Sequence, residues 1–152
     1  MANLKPVYLN ADTNSFKIPN ATDVIIGAPD VTLNTIADLK AYDIESNTGT
    51  KTIQVLGYYS AGDGGGGLFT WDSTSTDSDN GGTIIRPNSY VSAGVWKREY
   101  SGSINVKWFG AIADWDGSTG TDNTTPFQSC IDLLLPVFIP KGRYKFDSGL
   151  SI

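Results

Sequence analysis

Hydrophobic positions fall into three regimes along this chain. Over residues 1–31 they come as short islets, Val7, Tyr8 and Leu9, then Phe16 and Ile18 around Lys17, then Val24, Ile25 and Ile26, separated by Asn, Asp, Pro and Gly. Islets this short predict brief strands or an extended arm. Each buries too little apolar surface to offset the entropy of ordering it, so the arm needs a partner surface. Helical spacing follows at Ile36, Leu39 and Lys40, behind Thr35 as N-cap with Asp38 three residues on, and predicts a short helix over 36–42. From 51 to 107 the pattern becomes period two and rich in aromatics. "TIQVLGYY", "GLFTWD", "GGTIIRP" and "GVWKREY" predict four strands of a compact antiparallel unit.

The last third predicts a strand running into Phe109, Gly110 and Ala111, a polar turn, a helix, a second strand at Val137, Phe138 and Ile139, a turn at Lys141 and Gly142, and a returning stretch over 143–146. The helix is expected to start at Thr125 as N-cap, with Pro126 in the first helical position and Gln128 at capping-box spacing. Phe127, Ile131 and Leu134 or Leu135 would form its apolar stripe, and Pro136 would stop it.

Four consecutive glycines, Gly64 to Gly67 in "YYSAGDGGGGLFTWD", allow two readings. Bare backbone amides can cradle a phosphate, but that needs a helix N-terminus, and the flanks favour strands. The structural reading is a tight turn between strands, with Gly66 expected at a positive φ. The tract "DSTSTDSDNGG" over 72–82 is read as a solvated hairpin loop, since a calcium loop would need a closing Glu that does not follow.

Composition narrows the chemistry. The 152 residues carry a formal net charge of -5, with 11 Lys and Arg spread thinly, which gives no footprint for nucleic acid. There is no His, and Cys130 is the single cysteine, so neither a zinc site nor an internal disulfide is expected and chemistry would rest on carboxylates. No cofactor, metal site or catalytic residue is expected. Cys130 reads as a small packed residue. Asp114, Asp116 and Asp122 sit in a turn before a helix, where carboxylates satisfy free amides, a reading preferred over a paired-carboxylate glycosidase site. Trp71, Trp96, Trp108 and Trp115 read as core or interface residues, against a sugar-stacking platform. The N-terminus lacks the plan of a signal peptide and no run reaches the length of a membrane span, so synthesis in a cytosol is expected.

"NVKWFGA", then "GTDNT", a short amphipathic helix and "VFIPKGRYKF" together resemble the start of the right-handed parallel β-helix of the pectate-lyase-like superfamily, as found in bacteriophage tailspikes. The matching positions are Phe109, Gly110, Ala111, Thr121, Asp122, Thr124, Ile139, Pro140, Gly142 and Tyr144. The segment "ADWDGSTG" over 113–120 is longer than the family pattern. The stretch from Ile36 through "GVWKREYSG" is similar to the small domain that precedes the β-helix in many tailspikes.

The resemblance implies a mainly β homotrimer with short helices, in three parts: an N-terminal virion-anchor arm over 1–31, a small antiparallel β domain over 32–103, and the first coil of a right-handed parallel β-helix over 104–152. It implies a virion structural module that attaches a tailspike to the phage tail, baseplate or an adaptor protein, made in the bacterial cytoplasm. The polysaccharide-degrading coils would lie downstream, so no enzyme activity is expected of this part. The second reading is a carbohydrate-binding or polysaccharide-cleaving domain acting on bacterial surface glycans. Tyr8, Phe16, Ile18 and Ile25 are the expected contacts to the virion or within the trimer, by strand-like docking.

Overall fold

The structure, a computed structural model, describes residues 8–10, 15–17, 29–89 and 93–152. Two of the three N-terminal islets pair as an antiparallel hairpin, β1 (Tyr8–Asn10) with β2 (Ser15–Lys17), in a register that sets Leu9 opposite Phe16. The third, with Ile25, lies outside the described residues, as does Ile18.

A five-stranded sheet follows. β3 (Val31–Leu33) leads through α1 (Ile36–Ala41) to β4 (Thr52–Val55), then β5 (Gly67–Asp72), β6 (Ile84–Ile85) and β7 (Val95–Arg98). The order is β3-β4-β5-β7-β6. The four expected strands are antiparallel, whereas β3 runs parallel to β4. The sheet is therefore mixed, a correction to the purely antiparallel expectation. Three residues with a polar middle, Val-Thr-Leu, carry too little alternation to announce a strand. β3 is held instead from its N-terminal side, where the Asp30 carboxylate accepts from Lys51 N at 2.6 Å and Thr52 N at 2.8 Å.

α1 forms where its cap places it. Thr35 Oγ1 accepts from Asp38 N at 3.1 Å, and the Asp38 carboxylate accepts from Thr35 N at 2.9 Å, a complete capping box. Its buried face, Ile36 and Leu39, packs with Ile53, Val55, Phe69, Ile85 and Trp96. Trp96 stacks obliquely on Trp71 at 5.0 Å and meets Tyr42 edge-on at 6.1 Å.

Beyond the sheet the chain makes one turn of a coil. β8 (Ile104–Asn105) runs into a 3-10 turn (Val106–Phe109), Gly110 closes that turn at φ 89°, α2 (Thr124–Ile131) follows, and β9 (Val137–Phe138) returns parallel to β8. A second parallel bridge joins Asp122 to Lys145. Parallel strands linked by a helical crossover enclose Ile104, Val106, Phe109, Ala111, Phe127 and Cys130. This is the geometry of a parallel β-helix at its first rung.

Two expectations about α2 fail. Its N-cap is Asn123, not Thr125, and Asn123 makes no side-chain cap bond. The Asn123 amide is occupied elsewhere in the coil, and Asp122 Oδ1 takes Thr124 N at 2.9 Å in its place. The helix also ends at Ile131, well before Pro136. Leu134 takes a left-handed conformation, φ 53°, and is 86% exposed, so the stripe closes on Phe127 and Cys130 while Leu133 turns back onto the core.

Candidate functional site

The glycine run forms one wall of the junction between sheet and coil. Arg98 lies at its centre. On β7, Trp96 and Arg98 point to the same face because side chains alternate along a strand, and Trp96 is wholly buried, so the Arg98 guanidinium is carried inward with it. It is 5% exposed. Its Nη1 donates to Gly66 O at 2.6 Å, Nη2 to Gly65 O at 2.9 Å and Nε to Gly82 O at 2.9 Å. Phe69 covers one part of the guanidinium at 4.6 Å and Trp108, from the coil, another at 4.9 Å. Burial lowers its pKa to about 10, which leaves the group charged at neutral pH.

Two of the four glycines, Gly65 and Gly66, therefore lend their carbonyls to a cation, and the cation is the protein's own. Carbonyls, not amides, face the centre, which is the wrong polarity for phosphate. A side chain at Gly67 would strike the guanidinium. One at Gly66 would stand 2.6 Å from the Leu56 carbonyl carbon, and Gly66 has no positive φ, a correction to the expected turn geometry; within the run the left-handed conformation belongs to Gly64, at φ 90°.

Asp63 organises the other rim. Its carboxylate accepts from the amides of Tyr58, Tyr59, Ser60 and Gly65 at 2.8 to 3.1 Å. Burial alone would raise its pKa, but these amide donors together outweigh that effect and hold it below the usual carboxylate range. The Asp63 carbonyl in turn accepts from Lys107 Nζ at 3.0 Å. Between Tyr58, Tyr59, Asp63, Lys107 and Gly110 lies a cleft of about 190 Å³.

The sequence-predicted chemistry is accounted for by local structure. Asp114 accepts from Thr121 N and Oγ1, Asp116 from Ser118 N and Thr119 N, and Asp122 from Thr124 N and Asp147 N. Hydrogen bonds hold all three carboxyls below their ordinary range: from Thr121 on Asp114, Thr119 on Asp116 and Thr124 on Asp122. Asp114 and Asp116 tether their own loop, and Asp122 also ties the start of α2 to the returning stretch at Asp147. Burial pushes the Cys130 thiol up to about 12, so it is protonated and packed. Trp96 is buried and Trp71, Trp108 and Trp115 are half-buried; Trp71 lines a cleft of about 400 Å³ with Ile44, Glu45, Thr48, Lys51 and Ser73. Among the described residues no group of three or more acidic, His or Cys side chains could hold a metal, and no helix is long and apolar enough to cross a membrane. Tyr8 and Phe16 stand on the β1–β2 hairpin, and Ile18 and Ile25 lie outside the described residues.

Sequence reasoning missed the Arg98 junction. The available signal was the pairing of a four-glycine run with an arginine in the inward phase of a neighbouring strand.

Comparison with known proteins places this architecture. Residues 32–101 match the family described as the phage tail protein small four-stranded beta-sheet domain. The structure is similar to the tailspike protein gp49 of the Acinetobacter baumannii bacteriophage Fri1, at 24% identity and TM-score 0.61 over 74% of this chain and 20% of that one. It is also similar to the tailspike protein of the Acinetobacter phage vB_ApiP_P1, at 20% identity and TM-score 0.52 over 74% of this chain and 19% of that one. With the full-length tailspike protein 2 of the Escherichia coli O157:H7 bacteriophage CAB120 the identity is 22% and the TM-score 0.50, over 85% of this chain and 21% of that one. The chain spans about a fifth of the length of these proteins. Its fold, mainly β with short helices, is one that phage tailspikes share.

Proposed function

We propose that this chain is the virion-attachment part of a bacteriophage tailspike, with an N-terminal arm that docks on the tail, the baseplate or an adaptor protein and that ends before Asp30 and Val31, two residues short of the expected 1–31 bound because both belong to the sheet unit. The carrying observation is the order of parts: a hairpin-forming arm, a sheet unit that matches a phage tail domain, and a parallel coil fastened directly to it. The arm's alternating apolar islets suit strand addition to a partner edge, with Tyr8, Phe16, Ile18 and Ile25 supplying specificity. Three copies related by a closed rotation would cover one another's exposed strands. The protein is made in the host cytoplasm and resides in the virion tail.

The Fri1 relative is a capsular polysaccharide depolymerase. We assign that class of activity to further coils of the whole spike, and none of it to Asp114, Asp116 or Asp122, whose carboxylates accept from backbone amides. Removal of residues 1–28 tests the attachment role, because Asp30 already belongs to the sheet unit. Spikes lacking the arm should keep any glycan cleavage and fail to join virions. Normal incorporation of such spikes would move the anchor to the sheet unit. Sedimentation equilibrium tests the trimer, and a monomer or dimer of the whole spike would overturn it.

A further inference from the structure

The covalent link between sheet and coil has the composition of a hinge. Residues 99–103, Glu-Tyr-Ser-Gly-Ser, are all exposed, and Gly102 sits at φ 76° with open space around it. The packing beside that link is of a different kind. Four consecutive residues of the coil each grip a separate piece of the sheet unit. Lys107 Nζ reaches the Asp63 carbonyl, and Trp108 covers the Arg98 guanidinium. Phe109 lies so close to Gly82 that a β-carbon there would stand 2.6 Å from its ring, and Gly110 lies under Tyr58 at a spacing that would hold a β-carbon to 2.7 Å. A 3-10 turn points successive side chains about a third of a turn apart, so four neighbours can all be engaged only if the partner wraps around them. The glycine run, the Gly82 loop and the Tyr58–Tyr59 loop do that.

Arg98 makes this grip all-or-none. Among the described residues its charge has no carboxylate within ion-pair distance. It is satisfied by three carbonyls from two loops and by one ring from each side of the junction. Lifting the 3-10 turn away uncovers the guanidinium to water, which then competes for the same carbonyls and loosens both loops. The coil has little to fall back on, because a two-stranded sheet over six buried residues is marginal alone.

We infer that the sheet unit and the first coil form a single cooperative body, latched by Arg98 between Phe69 and Trp108, in which the hinge-like link does not swivel. In the attachment reading, on which the functional meaning rests, the latch sets the angle at which a spike leaves its anchor. The coupling itself does not depend on that reading.

Native-state hydrogen exchange on the whole protein, followed by mass spectrometry across a denaturant series, tests it. In the wild type, peptides covering 63–67 and 106–111 should open together, with the same denaturant dependence. Trp108→Ala should speed exchange in 63–67 by about tenfold or more, although that segment lies some forty residues away in sequence. Arg98→Lys, which cannot span three carbonyls, should accelerate both peptides. Independent opening of the two segments in the wild type overturns the inference, and needs no variant to fold. Unchanged exchange in 63–67 on loss of Trp108 overturns it as well. Virion incorporation is a separate readout, so failure of the latch and failure of the attachment role are told apart.

Discussion

Asn123 and Ile112 exchange two hydrogen bonds, with Ile112 N donating to Asn123 Oδ1 at 2.7 Å and Asn123 Nδ2 donating to Ile112 O at 2.9 Å. A side-chain amide here takes the place of a neighbouring strand, and the same nitrogen reaches Thr121 O at 2.8 Å. Asn123 is 0% exposed. Asn123→Ala leaves the partly buried amide and carbonyl of Ile112 unpaired and should cost about 1–3 kcal/mol. Asn123→Asp should cost more at neutral pH, since it buries a carboxylate against carbonyls, and less in acid, where the protonated group can donate. Chemical denaturation across pH checks this; equal, pH-independent losses for the two variants would refute the pairing.

Gly67→Ala sets a methyl against the Arg98 guanidinium and should destabilise by more than about 1 kcal/mol, the ordinary scale of overpacking. Gly49→Ala, with open space around it, should stay within about 0.5 kcal/mol of the wild type. Thermal melts of the pair separate a packing role for the glycine run from a general preference for flexibility.

Removal of the Thr35 cap should cost about 1 kcal/mol in Thr35→Ala, while Thr35→Ser should be nearly silent. Thr125→Ala should also be nearly silent, because Thr125 is exposed within the first turn of α2 and is not its cap. A melting shift for Thr125→Ala as large as that for Thr35→Ala would restore Thr125 as the cap.

Acid should unfold the protein over a defined window. The Lys97 ammonium, followed by the Thr74 hydroxyl and amide, holds the Asp72 carboxyl at about 2, and hydrogen bonds hold those of Asp30, Asp114, Asp116 and Asp122 below their ordinary range. A carboxyl whose pKa is lower folded than unfolded stabilises the fold above its unfolded value, and that stability is lost as pH falls through the folded value. Melting temperature should therefore be flat from about pH 7 to 5 and fall between about pH 4 and 2. Asp72→Asn should lower stability at pH 7 and flatten the acid limb. Parallel acid limbs for wild type and variant would count against the Lys97 contact.

Much of the fold was legible because its signals are local. Thr35 and Asp38 announce α1 in four residues, and the aromatic alternation of β5 and β7 survives in the structure unchanged. What escaped depends on distant partners. Asn123, Thr124 and Thr125 are all capable caps by residue type; the helix starts after the first, whose side chain makes no cap bond because Ile112, eleven residues back, claims its amide. β3 owes its place to Asp30 gripping Lys51 and Thr52, a contact across some twenty residues that no three-residue pattern encodes. The glycine run was visible as an anomaly, but its occupant was thirty residues further on. Periodicity places Arg98 on the inward face beside Trp96; it does not say which carbonyls wait there.

The parallel register of the coil has a consequence for how such chains lengthen. Ile104 pairs with Val137 and Asp122 with Lys145, so the first pass between the two rungs uses 18 residues and the second covers the same span in 8. The surplus is held in two outward detours, the 3-10 turn that seats against the sheet and the loop folded on Asp114 and Asp116. Neither detour shifts the pairing of the pass beneath it. Sequence can thus be inserted or trimmed over 116–120, beyond Trp115, whose amide donates to Arg143 O in the second pass, without a frame error propagating through the ladder. A lineage of such proteins could remodel that outer surface piecemeal while its rungs remain aligned.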